Sequence, residues 1–339
     1  MKMRVLHIGP KNFPPAHGGV EKSIYDLVTH FEGVESFVAV EWDQPNSGNT
    51  IVLPKGLLRR ARELEDFVAK RRVDILHFNK EGFIPLALWF FLARRARVVL
   101  TIRGCAWRLR KWSLPIRIAF YLLDLAACLL LPRVVFVGRR DFDHFAKLFP
   151  WRQFYFIPNG VMAHNFRTRG GAGRFVFVGR ISEEKNLLRL VNWFNGSQAE
   201  LTIFGPIDGR NGEYAQRVLS AIDKSRNVRY GGALPHTQLF DTLAQFGAFI
   251  NPSCSEGMPV SVLEAASVGL TLVLSDIRQH RDLGFPDAIY VSPVADTVPD
   301  LERVGGYSHA NVAVVEERYS LSSTCARYED LYTELTRRS

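Results

Sequence analysis

The 339-residue chain is 47% apolar and 23% charged and carries a formal net charge of +9. This composition excludes a disordered or fibrous chain, and the length exceeds the usual limit of one core, so two domains of roughly 150 residues each are expected. Four scattered cysteines (Cys105, Cys128, Cys254, Cys325) lack C-x-x-C spacing, which argues against a disulfide framework or zinc site and for reduced thiols in a cytosolic protein.

Charge is uneven along the sequence. Residues 1–160 hold 25 Lys+Arg against 14 Asp+Glu, a net +11, whereas residues 161–339 hold 18 against 20, a net −2. The first half is suited to an anionic partner such as a lipid headgroup surface, a phosphorylated acceptor or a nucleic acid; ordinary solubilising charge gives the same count.

In chain order, residues 4–8 form a first strand rather than a signal h-region, for which they are too few, so an unexported protein is expected. Further β-like runs at 36–40, 74–78, 98–102, 133–137 and 154–157 alternate with helical stretches such as 20–30 and 57–72, the signature of a doubly wound parallel sheet. Ligands of such sheets bind at the carboxyl ends of the strands. The first end opens into a loop that closes through Gly18-Gly19-Val20-Glu21, a candidate anion loop or simply a tight turn. The stretches 83–92 and 114–131 are the most apolar, but the first is too short to span a bilayer and the second carries Arg117 and Asp124, so each predicts a buried or membrane-surface helix.

A fourth predicted strand ends at Thr101-Ile102-Arg103-Gly104, followed by Trp107, Arg108, Arg110, Lys111 and Trp112, a mixture that suits a headgroup surface or an ordinary rim. Asp141-Phe142-Asp143 has the form of a metal-holding Asp-x-Asp. It opens an amphipathic helix, however, where acids favour the dipole, and we read it as structural.

After the glycines at 160, 170, 171 and 173 the pattern restarts. Strands are predicted at 175–178, 200–204, 228–231, 249–253, 271–275 and 289–292, with helices at 187–194, 214–225 and 237–246 and a last helix at 322–335. The strand at 175–178 runs into Gly179-Arg180-Ile181-Ser182-Glu183-Glu184-Lys185-Asn186, where Arg180 and Lys185 could hold a pyrophosphate or pair with Glu183 or Glu184.

The most informative stretch runs from Ser253 to Gly269 and holds two glutamates, Glu256 and Glu264. Pro259 marks the first helical turn and Gly269 the end, with Met258 where a capping side chain would stand, so the first amides are open to an anion. Gly257 lets a ligand approach, and the acids on either side suit hydroxyls, which together describe a nucleotide sugar. The same acids also fit a capping residue and a solvated helical side chain.

Taken together, Pro14 to Glu21, Ile157-Pro158-Asn159-Gly160-Val161, Gly179-Arg180 with Glu184-Lys185-Asn186, Asn251-Pro252-Ser253 before Glu256-Gly257-Met258-Pro259 and Leu263-Glu264-Ala265, and Tyr328-x-x-Leu331-Tyr332 resemble the retaining family 4 glycosyltransferases of the GT-B fold. The resemblance implies an α/β architecture of two Rossmann-like doubly wound domains facing across a cleft: an acceptor domain at 1–165, a nucleotide-sugar domain at 166–320, and a C-terminal helix at 321–339 packing toward the first domain. It implies that Arg180 and Lys185 hold the diphosphate, Gly257 and Met258 with Pro259 line it, Glu264 binds ribose hydroxyls, Glu256 contacts the donor sugar, and Gly18 and Gly19 close the cleft.

It further implies retaining transfer from a UDP- or GDP-sugar without metal or other cofactor, to a lipid-linked or polysaccharide acceptor, by a cytoplasmic enzyme peripheral to the inner face of the membrane. Where the family commonly reads Thr-x-His-Gly, this chain has Arg103, which cannot act as a base. Arg103 is then expected to clamp an anionic acceptor group and, with Glu256, forms the candidate catalytic pair. Met162 replaces the usual Asp after Asn-Gly-Val. A nucleotide-sugar epimerase or hydrolase of the same fold, or a non-catalytic anion- or nucleic-acid-binding protein, remains compatible with the residues.

Overall fold

The computed structural model describes residues 2–15, 18–42, 48–93, 96–109, 112–207, 212–294 and 300–337. Arg110 and Lys111 of the basic aromatic segment, and Ala16 and His17 of the first loop, lie outside them. The chain divides into two compact units, Met1–Gly160 with Leu321–Ser339, and Val161–Ser320. The division falls where the Val161 amide donates to the Tyr319 carbonyl at 2.8 Å, tying the entry and exit of the second unit together.

In the first unit the order is β1 (Met3–Ile8), α1 (Gly19–His30), β2 (Val34–Val40), β3 (Thr50–Val52), α2 (Leu57–Arg71), β4 (Ile75–Phe78), α3 (Ile84–Leu92), β5 (Arg97–Ile102), α4 (Leu114–Leu130), β6 (Val134–Phe136), α5 (Arg139–Leu148) and β7 (Tyr155–Phe156). The strands form one parallel sheet in the order β3-β2-β1-β4-β5-β6-β7. Val5, Leu6, Ile75, Leu76, Val99 and Leu100 are fully buried because helices cover both faces, which is why these strands read as apolar runs rather than alternating ones. The edge strand β3, three residues long, was not predicted, so the strand expected as fourth is the fifth.

The second unit runs β8 (Arg174–Val178), α6 (Leu187–Phe194), β9 (Glu200–Phe204), α7 (Gly212–Asp223), β10 (Val228–Gly232), α8 (Leu239–Leu243), β11 (Ala248–Asn251), α9 (Val260–Ser267), β12 (Thr271–Ser275), α10 (Arg278–Arg281), β13 (Ile289–Val291) and α11 (His309–Arg318). Its parallel sheet has the order β10-β9-β8-β11-β12-β13. Beyond it, α12 (Leu321–Arg337) buries Leu321, Cys325, Tyr328, Leu331 and Tyr332 against Val5, Ile75, Val99 and Val135 of the first sheet.

Strand order reverses between β1 and β4 in the first sheet and between β8 and β11 in the second. At such switch points the loops leaving adjacent strands diverge and open a crevice at the carboxyl ends. The loop after β8 carries Gly179 to Asn186 and the loop after β11 carries Pro252 to Pro259, so the topology juxtaposes the two motifs that the sequence separates by seventy residues.

Candidate functional site

The second switch point is built from its backbone outward. After β8, Asn186 adopts the left-handed conformation at φ 55°, ψ 35°, which asparagine tolerates better than most side chains, and its side-chain Nδ2 donates to the Pro293 carbonyl at 3.0 Å. That fixes the end of the Glu-Lys-Asn turn. The Cys254 amide donates to the Glu184 carbonyl at 2.9 Å and welds this turn to the loop after β11.

Lys185 and Glu256 then meet: Nζ lies 2.5 Å from Oε1, with side chains 15% and 9% exposed. Asn251, at the end of β11, donates from Nδ2 to the same Glu256 oxygen at 3.3 Å, while its own Oδ1 accepts from the Ser253 amide and hydroxyl. Burial works against the Glu256 charge, but Lys185 first, then His280 and hydrogen bonds from Lys185 and Ser253, hold the carboxyl below its ordinary range. His280 is fully buried, with Nδ1 2.9 Å from the Ser275 carbonyl and Nε2 without a partner. Burial lowers its pKa against the pull of Glu256.

Glu264 lies on α9, 7% exposed, with Oε1 3.2 Å from His236 Nε2. Glu256 thus pairs with Lys185 and Asn251, and Glu264 is buried rather than solvated. Arg180 remains the more open cation, 3.9 Å from Glu184, so the loop pairing considered for it is present, whereas Lys185 turns to Glu256 instead.

The helix start departs from expectation. Pro259 has φ −77° and ψ 101°, extended rather than helical, and is the cap residue of α9; Met258 precedes the cap and packs on the apolar cluster holding Val262 and Leu263. Pro259 is buried and has no N–H to offer, so it can supply shape but no donor. The lack of a side-chain cap on α9 is shared by α1, α2, α4 and α5 and does not by itself mark a site. What distinguishes this one is the half-buried Lys185–Glu256 pair in front of it and the buried Glu264 along it.

The other site residues belong to the first unit. Gly18 has φ +109°, where a Cβ would also collide with the Glu21 carboxylate, while Gly19 opens α1 with nothing near its Cβ direction. Arg103, just past β5, donates from Nη1 to Asn159 Oδ1 at 3.0 Å and from Nη2 to Asn79 Oδ1 at 2.8 Å. Asp141 pairs with Arg108 and Asp143 with Arg139, each at 2.9 Å, consistent with the structural reading of Asp-x-Asp. Asn251, His236 and His280 were not singled out as site residues. Asn251 had a signal in its Asn-Pro-Ser context; the two histidines had none.

Residues 164–283 match the family model described as "Glycosyl transferases group 1". No curated protein matches the chain. Among solved structures it resembles a sucrose-phosphate synthase from Thermosynechococcus elongatus (15% identity, 100% of both chains, TM-score 0.84) and Anabaena HepE in complex with UDP and glucose (14% identity, 98% of this chain and 100% of that one, TM-score 0.78). It also resembles the lipopolysaccharide outer core galactosyltransferase WaaB in its apo form (15% identity, 98% and 100%, TM-score 0.68). The chain thus shares the fold of these structures, two doubly wound parallel sheets, and its match to the glycosyl transferases group 1 model spans the second switch point.

Proposed function

We propose that the protein transfers a sugar with retention of configuration, and without a metal, from a UDP- or GDP-linked donor to a lipid-linked or polysaccharide acceptor. The observation that carries the donor side is the half-buried Lys185–Glu256 pair at the switch point, in front of a helix that bears the buried Glu264. In this reading Arg180 and Lys185 neutralise the diphosphate, with Lys185 shared between phosphate oxygen and Glu256. The Gly257 and Met258 amides donate to the same phosphates, Glu256 accepts from a sugar hydroxyl, and Glu264, steadied by His236, accepts from the ribose. The donor C1–O bond breaks, the new C1–O bond forms on the same face, and the acceptor proton passes to the departing diphosphate.

On the acceptor side, α4 leaves Leu114, Ile118, Leu122 and Leu129 exposed on a unit rich in positive charge. Among the described residues no helix is long and apolar enough to cross a membrane. An apolar stripe on a unit rich in positive charge suits an anionic bilayer surface, which supports a lipid-linked acceptor reached by peripheral binding.

A thermal-shift screen of UDP, GDP and their sugars tests the donor reading. A matching nucleotide at a hundredfold its Kd adds about 2.7 kcal/mol of stability. We expect E264Q and R180A to abolish most of that gain. Indifference of every nucleotide to both substitutions would sink the assignment.

A further inference from the structure

The cations at the carboxyl end of the first sheet are nearly all matched to acids. Lys22 pairs with Asp26, Lys80 with Glu41, and Arg108 with Asp141. Arg103 has no such match among the described residues. Its two bonds go to the neutral oxygens of Asn79 and Asn159, which are 0% and 8% exposed, and its Nε is buried with no partner. No carboxylate forms an ion pair with it among the described residues. The acid that acts on it from nearby is Glu21, whose side chain folds back against Gly18 at the start of its own helix.

Its other neighbours are neutral. Burial and then Arg103 lower the His7 pKa to about 3, and burial, His7 and Arg103 push His77 well below its usual value, so neither ring competes as a cation. His77 is pinned between the Tyr332 hydroxyl at 2.6 Å and Thr101 Oγ1 at 2.7 Å, with the Tyr328 hydroxyl 3.2 Å from Thr101. The guanidinium is therefore clamped on a rigid floor by two asparagines that fix its plane without neutralising it. A desolvated cation without a counter-charge is costly in a stable protein unless something else supplies the charge. The residue as a whole is half-buried.

We propose that Arg103 recognises a phosphate group on the acceptor, which makes the substrate class a phosphorylated or phosphate-linked molecule. This rests on the reading of the chain as a nucleotide-sugar glycosyltransferase whose first unit takes the acceptor. With one hydrogen on each terminal nitrogen committed to asparagine, the second hydrogen of each remains for an oxyanion. Glu21, in the first turn of α1, acts electrostatically on Arg103, and a Cβ at Gly19 would meet open space. A phosphate has three acceptor oxygens and a carboxylate only two, so a phosphate satisfies more of the arginine's remaining donors. The phosphate has two sources, a soluble sugar phosphate or a lipid phosphate, and the guanidinium chemistry is the same for both.

The test uses the full chain saturated with UDP, so that the donor diphosphate site is filled. Glucose 6-phosphate is titrated calorimetrically, with glucose as the neutral control, and in parallel the protein is sedimented with phosphatidylcholine vesicles with and without phosphatidic acid. In at least one arm we expect R103Q to weaken phosphate-dependent binding tenfold or more while UDP affinity changes less than twofold, and E21Q to tighten it severalfold. The responding arm names the source. Should R103Q fail to fold, R103K retains the charge but not the fork, and we expect a threefold or greater loss. Both arms insensitive to Arg103, or UDP lost in parallel with phosphate, overturn the proposal. Wild-type protein that ignores UDP yet binds phosphate through Arg103 refutes the donor reading and leaves the anion site standing.

Discussion

The two switch points solve the same problem in opposite ways. In the second unit the half-buried charge of Lys185 is balanced within the protein by Glu256, and that pair is neutral before anything binds. In the first unit the guanidinium of Arg103 sits among amides, phenols and neutral imidazoles. The comparison separates a site that must exchange partners when its ligand arrives from one that waits for a partner. It also predicts opposite responses to perturbation.

The largest effect should follow from breaking the internal pair. K185A leaves Glu256 buried without its cation, which costs about 3–5 kcal/mol. The double variant K185M/E256M should recover most of that stability while remaining inactive. Urea unfolding followed by a transfer assay reads both, and a double variant as unstable as K185A would show that the pair matters through packing rather than charge.

Next in size is the pH response. Behind the first site, Glu81, Cys105 and Asp124 bring ligand atoms within 4.8 Å of one another, and Asp124 is 1% exposed. Burial, the largest cause, and then Asp141 raise the Asp124 pKa to about 7, and burial and Asp124 push Glu81 well above the usual range. A carboxyl with a raised folded pKa binds more protons folded than unfolded, so its penalty is absent at low pH and grows as pH rises from about 4 to about 7. Glu256 has the opposite sign: its lowered pKa contributes stability above the ordinary glutamate value that disappears on acidification. Hydrogen exchange as a function of pH should show the first unit loosening between pH 4 and 7 by an amount on the order of a few kcal/mol. D124N should flatten that slope and leave the second unit's acid response unchanged.

The smallest effect is expected at Asp143. Its pair with Arg139 is an exposed i,i+4 contact, so D143N should cost less than about 0.5 kcal/mol. It should also leave transfer activity unchanged whether or not divalent cations are added. A metal-dependent loss of activity in D143N would restore the metal-holding reading of Asp-x-Asp.

Much of the architecture was legible because parallel strands buried on both faces are short apolar runs, and such runs alternate with amphipathic ones through the whole chain. Residues 50–52 escaped because three residues are too few to show a period. The start of α9 was misplaced by one position, since Pro259 suits both the cap and the first turn and its ψ is not encoded locally. His236 and His280 escaped for a different reason. A histidine becomes a site residue only through what faces it, and neither the Glu264 nor the Glu256 contact has a sequence spacing that would reveal it.

The sequence alone determined the two alternating α/β patterns, the glycine and asparagine positions that the turns require, and the chemical types gathered near each strand end, because these depend on local sterics and on which side chains tolerate burial. Only the tertiary structure decided which charges meet. The partners of Lys185, Arg103 and His77 lie 71, 56 and 255 residues away, and whether a buried charge finds an opposite one depends on how strands from distant parts of the chain are ordered in a sheet.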